Sequence, residues 1–157
     1  MSEAPSELYS LLIPLHEERL LVPRVCVAEV IGFTQPDPAP EAAPDWLLGF
    51  VNWSGRHLPL LSFEGAIGRA VPASRARARI VVFHALGGEG RDGYFAILTQ
   101  GFPQLVRVNA DVLAPDPDRS WLDQEPVICR IRMINEYPLI PDIERLTSMV
   151  GQFRSAA

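Results

Sequence analysis

The segment from Trp46 to Phe63, WLLGFVNWSGRHLPLLSF, constrains the fold most strongly, because it places two apolar runs on either side of one tight turn. Within the turn, Ser54-Gly55 supplies the positive φ that a short connection between two strands requires. The pattern therefore predicts a buried β-hairpin. Pro59 lies inside the second arm, and since proline has no amide proton to donate, we expect that arm to be an edge strand or to carry a bulge there.

The start of the chain predicts a second hairpin followed by a helix. Two apolar runs flank the charged residues 16–19, and a charged tip between apolar arms is typical of two strands that pair with each other. Pro23 suits the first turn of a helix and Gly32 suits its end. We therefore expect a short helix from Pro23 to Val30.

The end of the chain predicts a helix that docks on the β-structure. Asp142 is a natural N-cap for it. Apolar residues recur after this position at a spacing that places them on one helical face, namely Ile143, Leu146, Val150 and Phe153.

Between these landmarks the sequence alternates short apolar runs with polar connections. We expect strands in five further segments, namely 80–86, 94–100, 102–113, 126–133 and a short one at 137–140 that closes a hairpin. Between them we expect a glycine-rich turn at 87–93 and an acidic surface loop at 114–125. The chain is therefore mainly β.

Two connections allow more than one interpretation. Residues 35–45 contain four prolines and almost nothing to bury, which favours an ordinary surface loop over a ligand for a proline-reading module. Residues 64–79 form the one basic stretch of the sequence, and they are either a solvated connector or a contact for an acidic partner.

Length and charge limit the classes of function. A chain of 157 residues with 48% apolar residues is long enough for a single domain, 1–157, with a sizeable core. A net charge of −5 makes nucleic acid and anionic membrane poor partners. No run approaches the ~18 apolar residues of a membrane span, and the first residues lack the basic character of a signal peptide, so we predict a cytoplasmic protein without membrane insertion.

The reactive residues do not suggest an enzyme. Only three histidines are present, no serine lies in a nucleophile elbow, and no cysteines or histidines have the spacing of metal ligands. His57 lies beside the central turn and is interpreted as a partly exposed strand residue. Cys26 and Cys129 lie in apolar stretches, which favours buried free thiols over a disulfide. We predict no catalytic centre, metal or cofactor.

The central hairpin also carries a family resemblance. Gly49, Asn52, Gly55 and Pro59 match the signature of CheW-like domains, in which an arginine precedes the second glycine, whereas Ser54 occupies that position here. Two weaker matches support it: Val27-Ala28-Glu29-Val30 ahead of a glycine, and Ile143-Glu144-Arg145-Leu146 near the end. The chain thus resembles the CheW-like family, and in particular its divergent members in type IV pilus systems.

The resemblance implies two packed five-stranded SH3-like β-barrels formed by two intertwined halves. It also implies a non-enzymatic adaptor that joins the cytoplasmic tip of a methyl-accepting chemoreceptor to the regulatory domain of a CheA-type histidine kinase. A divergent member that binds another regulatory partner is the alternative. The partner-binding residues carried over from the family motif are Val27, Glu29, Gly49, Asn52, Ser54, Gly55 and Arg56.

The missing arginine leads to one structural expectation. In the family the helix glutamate and the turn arginine can form an ion pair, and here Glu29 is present while Ser54 is not a cation. On a regular strand Arg56 would point to the same side as position 54. We therefore expect a surface ion pair between Glu29 and Arg56, and partner contacts centred on Val27 and Gly49.

Overall fold

The structure is a computed structural model that describes residues 8–73, 76–86, 93–109, 114–115, 125–133 and 135–153. These residues form twelve strands, a 3-10 turn and two helices. In chain order they are β1 Leu8–Pro14, β2 Arg19–Pro23, the 3-10 turn Arg24–Cys26, β3 Val27–Gly32, β4 Asp37–Pro38, β5 Leu47–Trp53, β6 Arg56–Leu61, α1 Phe63–Ala66, β7 Arg79–His84, β8 Tyr94–Thr99, β9 Gln104–Val108, β10 Ala114–Pro115, β11 Val127–Arg132, β12 Leu139–Pro141 and α2 Ile143–Gly151.

The strands form two six-stranded sheets. The first sheet has the order β10-β11-β12-β2-β1-β9, and the second has the order β3-β7-β8-β6-β5-β4. The chain leaves the first sheet after β2, builds the second sheet, and then returns to complete the first. Five-stranded closed barrels are not confirmed, because each sheet has six strands and the pairings of the described residues leave both sheets open at two edges.

The core of the described residues has three clusters: two lie on the two faces of the second sheet, and the third, which contains Leu12 and Leu21, lies on the first sheet. On β7, Val81 and Phe83 pack against the first sheet and α2, while Ile80 and Val82 pack into a separate cluster on the opposite face. That second cluster receives side chains from both β3 and β5, which are separated by three strands in the sheet order. The second sheet is therefore strongly curled around its own core.

The prediction of a helix from Pro23 to Val30 is wrong. Helical geometry extends only over the 3-10 turn, and the chain then enters β3. This strand pairs with β7 over its length, with Ile31 opposite Ile80. The β-branched side chains Val27, Val30 and Ile31 favour the extended state, and pairing with β7 supplies the hydrogen bonds that an isolated turn of helix would lack.

The hairpin predictions are confirmed. β1 pairs with β2, β7 with β8, and β11 with β12, all antiparallel. The predicted strand region 102–113 contains β9, which pairs with β1. Most of the glycine-rich turn, residues 87–92, and most of the acidic loop, residues 116–124, lie outside the described residues.

The C-terminal helix is also confirmed. The backbone amide of Arg145 donates to the Asp142 carboxylate at 3.0 Å, as expected of an N-cap. Leu146 and Val150 are buried in the cluster that joins the two sheets. Phe153 follows the helix and packs edge-on against Trp46, with ring centroids 5.7 Å apart.

The central hairpin forms with a two-residue turn. Ser54 and Gly55 have φ values of 50° and 74°, which fit a turn with two left-handed positions. The expectation that the second arm is an edge strand is wrong, because β6 lies between β5 and β8. Pairing with β8 involves only Leu60 and Leu61, so Pro59 lies just before it. The bulge occurs in β5, between Leu47 and Gly49.

A buried carboxylate links the two sheets. Glu64, at the start of α1, is only 3% exposed. Its Oε2 accepts from the backbone amide of His16 at 3.0 Å, and its Oε1 accepts from the Ser62 hydroxyl at 3.3 Å. Close by, Arg69 forms an ion pair of 3.1 Å with Glu18, on the same β1–β2 turn. The segment around α1 is thus tied to the opening hairpin.

We predict that Glu64→Ala lowers the free energy of unfolding by about 1–3 kcal/mol, because the part-buried hydrogen bond from the backbone amide of His16 loses its acceptor. Urea denaturation followed by circular dichroism measures the change. Glu41→Ala, at an exposed loop position, is the matched control and should change stability by less than about 0.5 kcal/mol. Equal losses in the two variants would contradict the role of Glu64.

The two cysteines are free, and each is half-buried rather than fully buried. Burial raises the pKa of the Cys26 thiol and of the Cys129 thiol. Both therefore remain protonated at neutral pH, and neither has the thiolate character of a reactive cysteine.

Candidate partner-binding site

The curled second sheet brings β3 and β5 together at the tip of the central hairpin. The indole Nε1 of Trp53, at the end of β5, donates a hydrogen bond of 3.0 Å to Oε1 of Glu29 on β3. These two strands do not pair with each other in the sheet. The contact is therefore made by side chains across the open side of the curl.

Three more side chains surround this hydrogen bond. Tyr94 packs against Trp53 with ring centroids 4.9 Å apart, and His84 lies 5.3 Å from the Tyr94 ring. The guanidinium of Arg56 lies 5.1 Å above the same tyrosine ring. We call Glu29, Trp53, Arg56, His84 and Tyr94 the hairpin-tip cluster. The two larger rings are half-buried and the other three side chains are exposed.

The expected ion pair between Glu29 and Arg56 stays a prediction, and the structure shows one other contact for each of the two side chains. Glu29 accepts from Trp53, and Arg56 stacks on Tyr94. Ser54 belongs to the turn, so Arg56 does not follow it along a regular strand and lies opposite Trp53 across the turn. The sequence offered one signal for the contact between Trp53 and Glu29, since a partly buried tryptophan usually finds an acceptor for its N–H.

The partner contact expected at Gly49 stays a prediction, and the structure shows what this glycine packs against. It is buried, has a φ of +145°, and supports the close approach of β4, so that a Cβ there would overlap the carbonyl oxygen of Asp37. Its requirement for glycine comes from the packing of β4 on β5. The structure therefore gives Gly49 a structural role.

His57 also holds β4 in place. Its Nε2 lies 3.1 Å from Oδ2 of Asp37, and its ring stacks on Phe50 with centroids 5.1 Å apart. The histidine is partly exposed, as the sequence suggested. Together with Gly49 it anchors the proline-rich loop, where Asp37 and Pro38 form a two-residue edge strand.

The remaining residues carried over from the family motif lie around the cluster. Asn52, Ser54 and Gly55 are exposed at the hairpin tip. Val27 is half-buried at the start of β3 and packs against the core between the sheets. Apart from Gly49, the motif residues thus lie at one end of the second sheet, and Trp53, His84 and Tyr94 join them there without having been predicted.

A second exposed surface lies on the first sheet. Tyr9, Val25 and Leu105 are 46%, 79% and 51% exposed, and we call them the apolar strip. Arg24 lies 5.5 Å above the Tyr9 ring, and Arg107 is paired with Tyr9 across the β1–β9 ladder. Large exposed apolar side chains grouped between arginines are typical of interaction surfaces. Sequence reasoning missed this strip because its residues come from three separate segments.

The described part of the chain offers little support for a catalytic or metal-binding site. An open cleft of about 370 Å³ lies between the β1–β2 and β11–β12 turns, but Arg19 and Glu136 in its wall are paired with each other at 3.0 Å. Among the described residues, no three histidines, cysteines or acids lie together as metal ligands would. None of the described helices is long and apolar enough to cross a membrane.

Two arginines of the basic stretch are engaged within the chain. Arg69 is paired with Glu18, and Arg79 donates to the carbonyl of Ala78. These contacts favour the interpretation as a connector, and Arg75 lies outside the described residues.

The sequence of residues 10–150 matches the family model of the CheW-like domain. The chain belongs to the CheW-like domain family. Members of this family are non-enzymatic scaffolds that interact with chemoreceptors and with the kinase CheA. No curated protein sequence matches the chain.

A solved structure shows the same fold. The scaffolding protein TtCheW from Thermoanaerobacter tengcongensis superimposes with a TM-score of 0.71 at 16% sequence identity, over 90% of this chain and 88% of that protein. Sequence identity this low shows that the backbone fold is shared, but it does not show which partners are shared. The functional residues follow only from the structure of this chain.

Proposed function

We propose that this protein is a cytoplasmic adaptor that couples the tip of a chemoreceptor to the regulatory domain of a CheA-type histidine kinase. Membership of the CheW-like family over residues 10–150 carries the proposal. The structure adds two exposed surfaces on different sheets, the apolar strip and the hairpin-tip cluster. An adaptor requires two such surfaces, because both partners must be bound at the same time.

The apolar strip suits an amphipathic helix. Such a helix binds by laying its apolar face on an exposed apolar surface. Arg24 lies above the Tyr9 ring beside the strip, which favours a helix that carries an acidic residue next to its apolar face. We therefore assign the strip to a helical receptor tip.

Leu105→Glu should weaken binding of the receptor tip at least tenfold without unfolding the protein, because Leu105 is 51% exposed on an edge strand. Isothermal titration calorimetry with the receptor-tip fragment from the same genome measures the affinity. Gln104→Glu adds the same charge to the neighbouring exposed residue, whose side chain points to the other face of β9. Loss of binding in both variants, or in neither, would contradict the assignment.

We further propose that the protein acts in a signalling system that controls type IV pilus motility. The resemblance to divergent family members supports this, and deletion of the gene should impair twitching while leaving growth unchanged.

A second candidate is an adaptor that binds another regulatory partner. It is favoured by Ser54 at the position of the family arginine, and by Trp53, which takes over the contact with Glu29. Failure to bind the kinase would support this second candidate.

A further inference from the structure

We propose that β9 is a docking edge for a second copy of this chain, and that two copies form a symmetric dimer in which their β9 strands pair antiparallel about Val106. The dimer goes beyond the proposed function, since it forms without a receptor or a kinase. It joins the first sheets of the two copies into one continuous sheet.

The edges of the two sheets differ in how well they are protected from pairing with another chain. Soluble proteins protect sheet edges with prolines, charges, bulges or very short strands. In the described structure β4 and β10 are two residues long and contain Pro38 and Pro115. β3 has an irregular register between Val27 and Glu29, and it carries the Glu29 carboxylate. β9 lacks these devices, because it has five residues, contains no proline, and pairs with β1 without a register shift.

Large apolar side chains are exposed beside the β9 edge. Leu105 lies on β9 itself, and Leu8 and Tyr9 lie on the neighbouring strand β1. Phe102, just before β9, is 68% exposed. Apolar groups gathered in one place mark an interaction surface, whereas single ones do not. This edge therefore offers a second strand both backbone hydrogen bonds and apolar burial.

The sequence of β9 matches a second copy of itself when the two-fold axis passes through Val106. All five residues of the strand are then paired: Val106 faces Val106 of the second copy, Leu105 faces Arg107, and Gln104 faces Val108. Arg107 is the one charged residue of β9, and its aliphatic stem lies against a leucine. An axis at Arg107 would place two cations opposite each other. An axis at Leu105 would bring Pro103 into the ladder, where proline has no amide proton to donate.

This register places apolar groups together on both faces of the joined sheets. Val106 packs against the core cluster of the first sheet, so the contact between the two Val106 side chains extends that cluster across the interface. On the other face, Leu105 lies opposite Leu11 within its own chain, and Arg107 lies opposite Tyr9. Each Leu105 thus gains an arginine of the second copy, supported by a tyrosine, as its neighbour.

Sedimentation equilibrium of the purified full chain, with no partner present, tests the dimer. We expect a reversible equilibrium between monomer and dimer for the wild type. Leu105→Lys should weaken the dimer at least tenfold, because it places a lysine opposite Arg107 at two symmetric positions. Ile128→Lys is the matched control, since Ile128 is 62% exposed on β11, which lies between two other strands. That variant should dimerise like the wild type.

A charge exchange tests the register. Adding Arg107→Glu to Leu105→Lys places a lysine opposite a glutamate at both positions, so the double variant should recover the affinity that Leu105→Lys loses. Circular dichroism checks that each variant is folded. In the wild type, amide exchange in β9 should slow as the protein concentration rises, because the outward amides of the edge gain acceptors only in the dimer.

A wild type that remains monomeric up to ~1 mM, the weak end of specific association, would overturn the dimer. Equal losses in Leu105→Lys and Ile128→Lys, or unchanged dimerisation in Leu105→Lys, would also overturn it. A double variant that recovers no affinity would overturn the register at Val106. The adaptor function is tested separately, by binding to other proteins, so its failure and the failure of the dimer are distinguishable.

Discussion

Gly49→Ala is expected to lower the free energy of unfolding by more than about 1–3 kcal/mol, the cost of a strained backbone at one residue alone. Gly49 has a φ of +145°, which L-residues rarely adopt, and a Cβ would overlap the carbonyl oxygen of Asp37. Relief requires β4 to move off β5, which also breaks the contact between Asp37 and His57. Urea denaturation monitors the stability, and amide exchange at Phe50 reports whether β4 has left.

The matched control is Gly32→Ala. Gly32 lies in β3 of the same sheet, has no positive φ, and a Cβ there would meet nothing within 4 Å. Its replacement should change stability by less than about 0.5 kcal/mol. If the two variants lose the same stability, the account of Gly49 is wrong. For the same reason a larger residue such as Gly49→Arg would remove partner binding by disturbing the fold, and its circular dichroism spectrum would change.

The second large effect is expected from Leu146→Ala. Leu146 is fully buried in the cluster that contains residues of both sheets and of α2. Removing a buried leucine side chain costs about 2–5 kcal/mol through lost burial and the cavity that remains. Because the helix packs on both sheets, weaker packing of the helix should lower the unfolding temperature of both sheets together, in a single transition.

Thermal unfolding followed by far-ultraviolet circular dichroism provides the measurement. Ser148→Ala changes an exposed residue of the same helix and should leave the midpoint within about 2 °C of the wild type. If Leu146→Ala unfolds in two transitions and one sheet stays folded after the first, the helix does not hold the two sheets together.

Local patterns predicted the elements of this fold well. Alternating apolar runs around short polar turns located the hairpins β1–β2, β5–β6, β7–β8 and β11–β12, since each is made by neighbouring residues. The N-cap at Asp142 located α2 for the same reason. The helix expected from Pro23 failed because its strand partner, β7, lies some fifty residues further on, and only that pairing makes β3 extended.

The site was less predictable because it depends on the curl of a sheet. Glu29 and Trp53 are 24 residues apart and meet only because β3 and β5 close over a shared core. The sequence identified Gly49 as important, but glycine is required there because of the nearby backbone of Asp37. Asp37 lies in a loop whose sequence did not predict a strand. The apolar strip joins β1, the 3-10 turn and β9, so no single segment reveals it.

The most direct test of the adaptor function is co-sedimentation of three components: receptor-containing membranes, the CheA-type kinase, and this protein. We expect the kinase to pellet with the membranes only when the protein is added, and Leu105→Glu to reduce the pelleted kinase. Leu105→Glu should also leave the protein itself in the supernatant, because it removes the receptor contact. A kinase that remains in the supernatant at saturating concentrations of the folded wild-type protein would contradict the account.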